Sequence, residues 1–474
     1  MFSRTLFKSY AQQLPYSIFN SVAKVWGQVP VQWRLGSSFR KTFRLLNEAE
    51  NWEQGRIQEW QLSRLREIMR HAEFTVPWYR KTFKSIGFHW QDIKKLEDIE
   101  YIPTISKGEI SENLEAFISE EVDKKKLVKA ITGGSTGAPL TFYLDKTNTS
   151  IEAAFLGNIL GRYNCELGDR FLVLRTQRKS PNSKTPYWTY NPHRNQLVIS
   201  SYLLSKNSLP EIVREIRRFK PIYVLGISST AALFSNYLLE TGEDIGDPPN
   251  LVLLSSENSY REQRGLISEA FKCQTIMLYG QTEGVVMAVE DSQHGKYHVN
   301  PFYGLAEILN ENGKLTLNAY DQGEIVGTSF HNFVMPFIRY RTGDVATISN
   351  GTSIWGIPGS AWERIEGRTV EICQTRDGRW IMLAALLFGT HDETFSNVAA
   401  LQIEQQEPGF LILRLIKRRG YSMEDERKIR HMINILTQEG FEIYFDYVDI
   451  IPRTEAGKHK LLIQHLKLPD RIAY

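Results

Sequence analysis

The chain has 474 residues, of which 42% are hydrophobic and 23% are charged, the composition of ordinary globular proteins. This length exceeds the size at which a single core stops growing, so we expect two or three domains. The formal net charge of +3 excludes a global field that would attract nucleic acid. Three widely spaced cysteines without a CxxC pair support neither a zinc cluster nor a disulfide framework, which favours a reducing cytosol.

The N-terminal segment, residues 1–33, contains basic and aromatic side chains but no continuous apolar stretch, which argues against a signal peptide. No run in the chain approaches the roughly 18 apolar residues that a transmembrane helix needs. We interpret this segment as a helix that packs on its own domain. An interfacial amphipathic segment with peripheral membrane contact is the alternative. The protein is expected to be cytoplasmic.

The first two-thirds of the chain are predicted to fold as helices followed by alternating strands and helices. Residues 45–75 have apolar side chains at helical spacing, and "EYIPTISKGEI" at 100–110 looks like a capped helix start. Between residues 170 and 284, short apolar strands such as "RFLVLRT" and "PNLVLLSSEN" alternate with amphipathic helices. This order predicts a parallel sheet covered by helices, with ligands beyond the carboxyl ends of its strands.

The pattern changes at about residue 300 to strands and turns, with turn signals at Asn312-Gly313 and Gln322-Gly323 that predict a smaller β unit. The last hundred residues then follow the order strand, helix, strand, which predicts a separate small α+β domain. We expect a nucleotide- and acid-binding domain at 1–366, a hinge at 367–375 and a C-terminal lid domain at 376–474.

The segment "AITGGSTGAPLTF" at 130–142 is the first candidate for chemistry. The loop from Thr132 to Gly137 offers backbone N–H groups that no large side chain obstructs, and Ser135 and Thr136 add hydroxyl donors. Such a loop is suited to an anionic polyphosphate. It lacks the Gly-Lys-Ser/Thr ending of a P-loop, and taken alone it is equally compatible with an ordinary turn.

Three further motifs place polar residues after predicted strands or in a late turn. In "YGQTEG", the Thr282 hydroxyl could donate to a phosphate and the Glu283 carboxylate could hold Mg²⁺. In "RYRTGD", Asp344 could accept hydrogen bonds from two ribose hydroxyls. In "PRTEAGKHKLL", Lys458 could neutralise charge that develops during adenylyl transfer. Each motif alone is also compatible with a solvated turn or a surface side chain.

Together, these motifs resemble those of the adenylate-forming superfamily of acyl-CoA synthetases, luciferases and adenylation domains. "TGGSTGAP" is similar to its phosphate loop, and "YGQTEG", "YRTGD", "RIEGR" and "PRTEAGK" resemble its later motifs in the same order. The N-terminal "LREIMRHAEFTVPWYRKTF" resembles the phenylacetate–CoA ligase group. "YVLGISSTAALFSNYLL" and "LLSSENSYREQRGLISEAF" resemble its capsular polysaccharide biosynthesis (CapK-like) branch.

The resemblance implies a nucleotide site built from these motifs. The residues it assigns to the β- and γ-phosphates of ATP are Thr132, Gly133, Gly134, Ser135, Thr136 and Gly137. Ser256 and Glu257 would lie by the adenine, and Tyr279, followed by Gly280, would stack on it. Thr282 would bind the α-phosphate and Glu283 the Mg²⁺. Asp344 would bind the ribose hydroxyls, Arg368 would help hold ribose or phosphate, and Lys458 would promote adenylation.

The fold implied is α/β, with a large N-terminal adenylate-forming domain of helix-covered β-sheets plus a β subdomain, and a small mobile α+β C-terminal domain. The activity implied is ATP-dependent conversion of a carboxylic acid to an acyl-AMP. The acyl group would then pass to CoA, a carrier-protein thiol or an amino sugar, in surface polysaccharide biosynthesis. A simple aryl- or fatty-acyl-CoA ligase, or a silent nucleotide-binding relative in a polysaccharide assembly complex, are the alternatives.

The chain departs from the family pattern at three positions. Ala138 replaces the lysine that usually precedes the proline of the phosphate loop, Val370 replaces an aspartate of the hinge, and Gln374 aligns with a frequent lysine. These changes are compatible with adenylation. They weaken the expectation that the C-terminal domain rotates for a second step with CoA as the acceptor.

Overall fold

A computed structural model describes most of the chain. The described residues are 29–123, 127–132, 140–175, 187–200, 203–204, 207–256, 259, 261–291, 295–310, 312–366, 372–382, 394–395, 397–417, 420–451 and 461–466. Within these ranges, none of the helices combines the length and the apolar character needed to cross a membrane.

Ten α-helices lie within the described ranges, and we number them α1 to α10. They are Val31–Arg34, Gly36–Ala49, Gln54–Thr75, Pro77–Ile86, Lys107–Glu112, Asn148–Gly161, Leu209–Phe219, Ser228–Thr241, Arg261–Phe271 and Met423–Thr437. Helix α5 begins as the sequence predicts, because the Ser106 hydroxyl accepts from the backbone N–H of Glu109 while the Glu109 carboxylate accepts from that of Ser106.

Twenty strands, β1 to β20, occur in the same ranges. They are Val128–Ile131, Thr141–Leu144, Phe171–Arg175, Trp188–Asn191, Gln196–Ser200, Tyr223–Ile227, Leu251–Ser255, Gln274–Gly280, Met287–Glu290, Tyr297–Val299, Gly304–Leu309, Gln322–Ser329, Tyr340–Ile348, Ala361–Glu366, Ile372–Gln374, Trp380–Met382, Val398–Gln405, Phe410–Lys417, Glu442–Tyr447 and Leu462–Gln464.

The main sheet has twelve strands in the order β11-β12-β13-β14-β10-β9-β8-β7-β6-β3-β5-β4. Strands β5, β3, β6, β7 and β8 are mutually parallel, so their carboxyl ends meet at one edge. Strands β5 and β6 lie on opposite sides of β3. The chain connections therefore change direction between β3 and β6, which makes this position a topological switch point. In such sheets, ligands bind beyond the carboxyl ends of the strands. The mixed α/β fold predicted from the sequence is confirmed.

The helix expected at 45–75 is confirmed for most of its length, but the helix breaks at residues 50–53 and the chain forms two helices, α2 and α3. The break lets Trp52 leave the helical path. Its indole packs edge-on against Phe302 at 5.8 Å between ring centroids, and the Arg56 guanidinium lies 4.0 Å from the centre of the Trp52 ring. Burial of an aromatic ring here outweighs continuation of the helix.

The predicted β unit after residue 300 is continuous with the main sheet. Strands β8 to β14 extend the parallel centre by antiparallel pairing, so no separate sheet forms from this segment. The Asn312-Gly313 turn lies between β11 and β12 as predicted, with Gly313 at φ 71°. Gln322-Gly323 is not a turn but the start of β12; the chain reverses just before it, where Tyr320 has a φ of 68°.

The C-terminal part contains a second sheet, in the order β19-β18-β17-β20, with helix α10 beside it. The strand, helix and strand predicted from "GFLILRLIKR", "SMEDERKIRHMINILTQEG" and "FEIYFDYVDII" correspond to β18, α10 and β19. Side chains of these elements form a hydrophobic core of their own that includes Leu413, Ile429 and Ile443, distinct from the core of the main sheet.

Candidate nucleotide and acid site

The phosphate-loop candidate follows strand β1, and only its first residue, Thr132, is described. Strands β1 and β2 are antiparallel, and their last pair is Ile131 with Thr141. Beyond that pair, the Thr132 N–H donates to the Leu140 carbonyl and the Leu140 N–H donates to the Thr132 hydroxyl, both at 2.9 Å. Thr132 is buried and closes the base of the loop. Gly133, Gly134, Ser135, Thr136, Gly137 and Ala138 lie outside the described residues.

The predicted adenine contacts begin at the carboxyl end of β7. Ser255 pairs with Leu278 of β8, so Ser256 and Tyr279 follow at the same edge of the sheet. Ser256 has a φ of 75°, in the left-handed region that a serine rarely adopts. Strained backbone of this kind concentrates at functional sites, where the surrounding structure enforces it. Glu257 lies outside the described residues.

A hydrogen bond joins the two motifs "YGQTEG" and "YRTGD", which are more than sixty residues apart in sequence. The Tyr279 hydroxyl donates to Asp344 Oδ2 at 3.0 Å and accepts from the Gln281 amide at 2.7 Å. Gln281 is itself held, because its Oε1 accepts from the Val286 N–H at 3.2 Å. Burial and the Asp344 charge raise the pKa of Tyr279 well above its usual value, so the phenol stays neutral and remains a donor.

Asp344 lies within β13, next to an irregularity in the pairing of β13 with β12 that fixes the direction of its carboxylate. The Asp344 N–H donates to the Thr342 hydroxyl at 3.1 Å, and that hydroxyl donates to the Ile325 carbonyl at 2.8 Å. Gly343 has a φ of 76°, which a residue with a side chain rarely adopts. Asp344 is half-buried and therefore remains within reach of a ligand.

Glu283 is buried directly after the exposed Thr282 in the turn that follows β8. Its Oε1 accepts a hydrogen bond from the Tyr340 hydroxyl at 2.9 Å. No group of three or more His, Cys, Asp or Glu side chains suited to a metal occurs in the described part of the chain. A single carboxylate nevertheless fits Mg²⁺ at a nucleotide, because Mg²⁺ in such sites takes one or two protein carboxylates together with phosphate oxygens and water.

The structure therefore brings together part of the predicted site. Tyr279, Gly280, Thr282 and Glu283 lie at the end of β8. Asp344 lies in β13, which is not adjacent to β8 in the sheet but is joined to it by the Tyr279–Asp344 hydrogen bond. Arg368 and Lys458 lie outside the described residues, and their roles stay predictions. The chain on both sides of Lys458 is anchored, because Ile451 and Leu462 are buried in the C-terminal part.

The sequence reasoning missed four side chains near this site. Gln281 lies inside the "YGQTEG" motif and would have been found by asking what holds Tyr279. Tyr340 begins the "YRTGD" motif, and its contact with Glu283 has no local sequence signal. The Tyr303 hydroxyl donates to Glu152 Oε1, a pair separated by 151 residues.

The backbone of Gln374, the residue that aligns with the family's lysine, is held by the C-terminal sheet. The residue lies in β15, and its backbone N–H and C=O both bond the side-chain amide of Gln405, at 2.7 and 2.8 Å. Ile372, two residues earlier, packs with the main core, whereas Cys373 packs with the C-terminal core. The β15–β16 hairpin thus lies between the two cores and is hydrogen-bonded to the C-terminal sheet.

Tyr279→Phe is expected to weaken ATP binding about tenfold, because Asp344 and Gln281 each lose a hydrogen-bond partner worth about 1 kcal/mol. Isothermal titration with a non-hydrolysable ATP analogue measures this change. Tyr297→Phe is the matched control, since Tyr297 has no part in the site and should leave affinity unchanged. Equal affinity of Tyr279→Phe and the unaltered protein would contradict a role of this hydroxyl in positioning Asp344.

The fold defined by this sheet and its C-terminal unit is that of the adenylate-forming CoA ligases. A solved structure of 2-hydroxyisobutyryl-CoA ligase, in complex with 2-HIB-AMP and CoA in the thioesterification state, aligns with a TM-score of 0.56 and 17% identity. The alignment covers 86% of this chain and 89% of that one.

Sequence comparison identifies relatives within this group of proteins. Protein CapK of Staphylococcus aureus is 23% identical over 465 residues, which cover 96% of this chain and 98% of that protein. Phenylacetate-coenzyme A ligase of Pseudomonas putida is 25% identical over 323 residues, covering 65% and 70%. Residues 378–465 match the family model of the CapK C-terminal domain. These matches confirm the resemblance to the adenylate-forming superfamily, its phenylacetate–CoA ligase group and the CapK-like branch.

Proposed function

We propose that this protein is an ATP-dependent, adenylate-forming acid ligase that converts a carboxylic acid to an acyl-AMP and transfers the acyl group to a thiol. The observation that carries the proposal is the hydrogen bond from Tyr279 to Asp344, because it joins an adenine-binding candidate to a ribose-binding candidate. Glu283 lies three residues after Gly280 in the same turn, where a nucleotide's phosphates would follow.

The chain's own residues suit the first step. A carboxylate oxygen of the acid attacks the α-phosphorus of ATP, the bond to the pyrophosphate oxygen breaks, and pyrophosphate leaves. Thr282, exposed beside the site, would donate to the α-phosphate, and Lys458 and Arg368 would offset the charge that spreads over the phosphate oxygens. A bound Mg²⁺ would supply further neutralisation of the phosphates, held by Glu283.

For the second step we propose CoA as the acceptor, and a carrier thiol or amine as the alternative. The similarity to phenylacetate–CoA ligases supports CoA. Val370 and Gln374 depart from the family's hinge pattern, which supports keeping the carrier thiol or amine as the alternative. We further propose that the acyl group serves surface or capsular polysaccharide biosynthesis in the cytoplasm, which rests on the similarity to the CapK branch alone.

Pyrophosphate exchange with a panel of carboxylic acids tests the proposal. We expect ATP–pyrophosphate exchange that depends on Mg²⁺ and on one class of acid, and formation of an acyl-CoA when CoA is added. Exchange without acyl-CoA would move the acceptor to a carrier thiol or an amine. Absence of exchange with every acid, in a protein that binds ATP, would overturn the ligase assignment and favour a silent nucleotide-binding relative.

A further inference from the structure

Glu152, in the second turn of α6, is placed unusually for an acidic residue. Part of it remains exposed, yet the surrounding protein is dense enough that burial raises the pKa of its carboxyl to about 7. A side chain that is both enclosed and accessible lines a cleft. Its Oε1 accepts a hydrogen bond from the Tyr303 hydroxyl, and no Lys, Arg or His in the described ranges pairs with it. A carboxylate without a cation in such a place is costly unless something pairs with it.

This carboxylate lies next to the turn that carries Thr282 and Glu283. Gly284 follows them with a φ of 69°, and a methyl group at its Cα would lie 3.5 Å from the Tyr303 hydroxyl and 3.9 Å from Glu152 Oε1. The charge of Glu283 also acts on Tyr303. Glu152 therefore lies beside the turn to which the proposed function assigns the α-phosphate and Mg²⁺.

The side chains around Glu152 and Tyr303 are mainly aromatic, and Arg64 is close enough to help lower the pKa of His331 among them. Phe155, one turn after Glu152, packs edge-on against Tyr303 at 4.9 Å and against His331 at 5.5 Å between ring centroids. Burial lowers the pKa of His331 to about 4, so its imidazole is neutral at physiological pH. The Tyr303 hydroxyl is already committed to Glu152. The acceptor oxygens of Glu152 are thus the principal polar feature that a small molecule would meet here.

We propose that Glu152, oriented by Tyr303, forms a specificity subsite that accepts a hydrogen bond from a donor group on the acid. This inference rests on the proposed ligase function and names its substrate class: a short carboxylic acid with an ammonium or hydroxyl group within a few bonds of its carboxyl. Because Gly284 separates Glu152 from Glu283 by so little, a long acyl chain between carboxyl and donor would not fit this spacing. An acid with an alkyl group in place of the donor would leave the Glu152 carboxyl desolvated and unpaired.

ATP–pyrophosphate exchange with three isosteric acids tests the subsite. The acids are 3-hydroxybutanoate, 3-aminobutanoate and 3-methylbutanoate. Propanoates that carry the hydroxyl, amino or methyl group at C2 form a shorter series. In the unaltered protein we expect kcat/KM at least about tenfold higher for the best donor-bearing acid than for its methyl analogue, the worth of one hydrogen bond to a charged group. Glu152→Leu should remove or reverse this preference, mainly by raising the KM of the donor-bearing acids.

Glu152→Gln separates the two donors, because glutamine keeps an acceptor oxygen and removes the charge. A hydroxy acid should retain most of its kcat/KM in Glu152→Gln, whereas an amino acid should lose about tenfold. Glu166→Gln, on the exposed surface after α6, is the matched control and should change neither ratio.

Thermal stabilisation by the same acids, measured with ATP and Mg²⁺ present, gives a readout independent of turnover. A donor-bearing acid should raise Tm more than its methyl analogue, and Glu152→Leu should remove the difference. Exchange that prefers the methyl analogue, or a preference that Glu152→Leu leaves unchanged, would overturn the subsite while the ligase function stands. No exchange with any acid, together with a donor-specific Tm shift that Glu152→Leu removes, would overturn the ligase function and retain the subsite.

Discussion

Glu283→Gln is expected to lower the rate of ATP–pyrophosphate exchange at least about hundredfold, since it weakens the site for the Mg²⁺ that would neutralise the phosphates during the reaction. The substitution preserves size, and its amide oxygen can still accept the hydrogen bond from Tyr340. What it removes is the negative charge that would hold Mg²⁺. The exchange rate should therefore fall most at low Mg²⁺ concentration. It should recover in part as the concentration is raised, because phosphate oxygens and water remain as ligands of the ion.

Tyr340→Phe is the matched control for this prediction. It deletes the hydrogen bond to Glu283 Oε1 without changing charge, and the ring can keep its stacking on Phe337, with centroids 5.2 Å apart. We expect a loss of no more than about tenfold, the worth of one buried hydrogen bond. Equal losses for the two variants would show that Glu283 acts through the position of the turn. An active Glu283→Gln protein with unchanged Mg²⁺ dependence would contradict metal binding.

The sequence was sufficient to predict the parts of the fold that depend on local pattern. Strands β3, β6, β7 and β8 and helices α7, α8 and α9 follow from short apolar runs that alternate with amphipathic segments. The start of α5 follows from Ser106 and Glu109, whose side chains cap the helix within one turn. The nucleotide motifs were found for the same reason, because each is contiguous in sequence.

Features that depend on distant partners could not be predicted in this way. The break at 50–53 exists because Trp52 packs on Phe302, which is 250 residues away in the chain. The start of β12 at Gln322-Gly323 looks locally like a turn, and only its pairing with β11 and β13 makes it a strand. Glu152 has no local signal either, because its partner Tyr303 comes 151 residues later, in the turn before β11.

Gly304 and Gly327 allow the segment after the Glu283 turn to pack directly against strands β11 and β12. Gly304 begins β11, and Gly327 lies in β12 beside it. A methyl group on Gly327 would lie 2.7 Å from a methyl of Val286 and 2.8 Å from Cβ of Val285. Val285 and Val286 come directly after the turn that carries Glu283, and the Val286 N–H holds Gln281. Because Gly304 and Gly327 carry no side chain, the turn that contains Glu283 can approach strands β11 and β12 closely.

Gly304→Ala is expected to reduce the free energy of unfolding by about 3 kcal/mol or more, at or above the upper end of the usual cost of overpacking. The added methyl would lie 2.1 Å from the Val285 carbonyl oxygen and 2.7 Å from that of Thr328, and both are backbone atoms that cannot rotate away. Relief requires β11 to move from β12 or Val285 to move with the Glu283 turn, so exchange activity should fall as well. Urea unfolding measures the first effect.

Gly265→Ala is the matched control. This glycine is exposed within α9, and no atom lies within 4 Å of the added methyl, so the same change should stabilise the protein by roughly 0.5 to 1 kcal/mol. If the two substitutions gave similar unfolding free energies, the close approach of Val285 to β11 would be wrong, and with it the coupling of the Glu283 turn to the sheet.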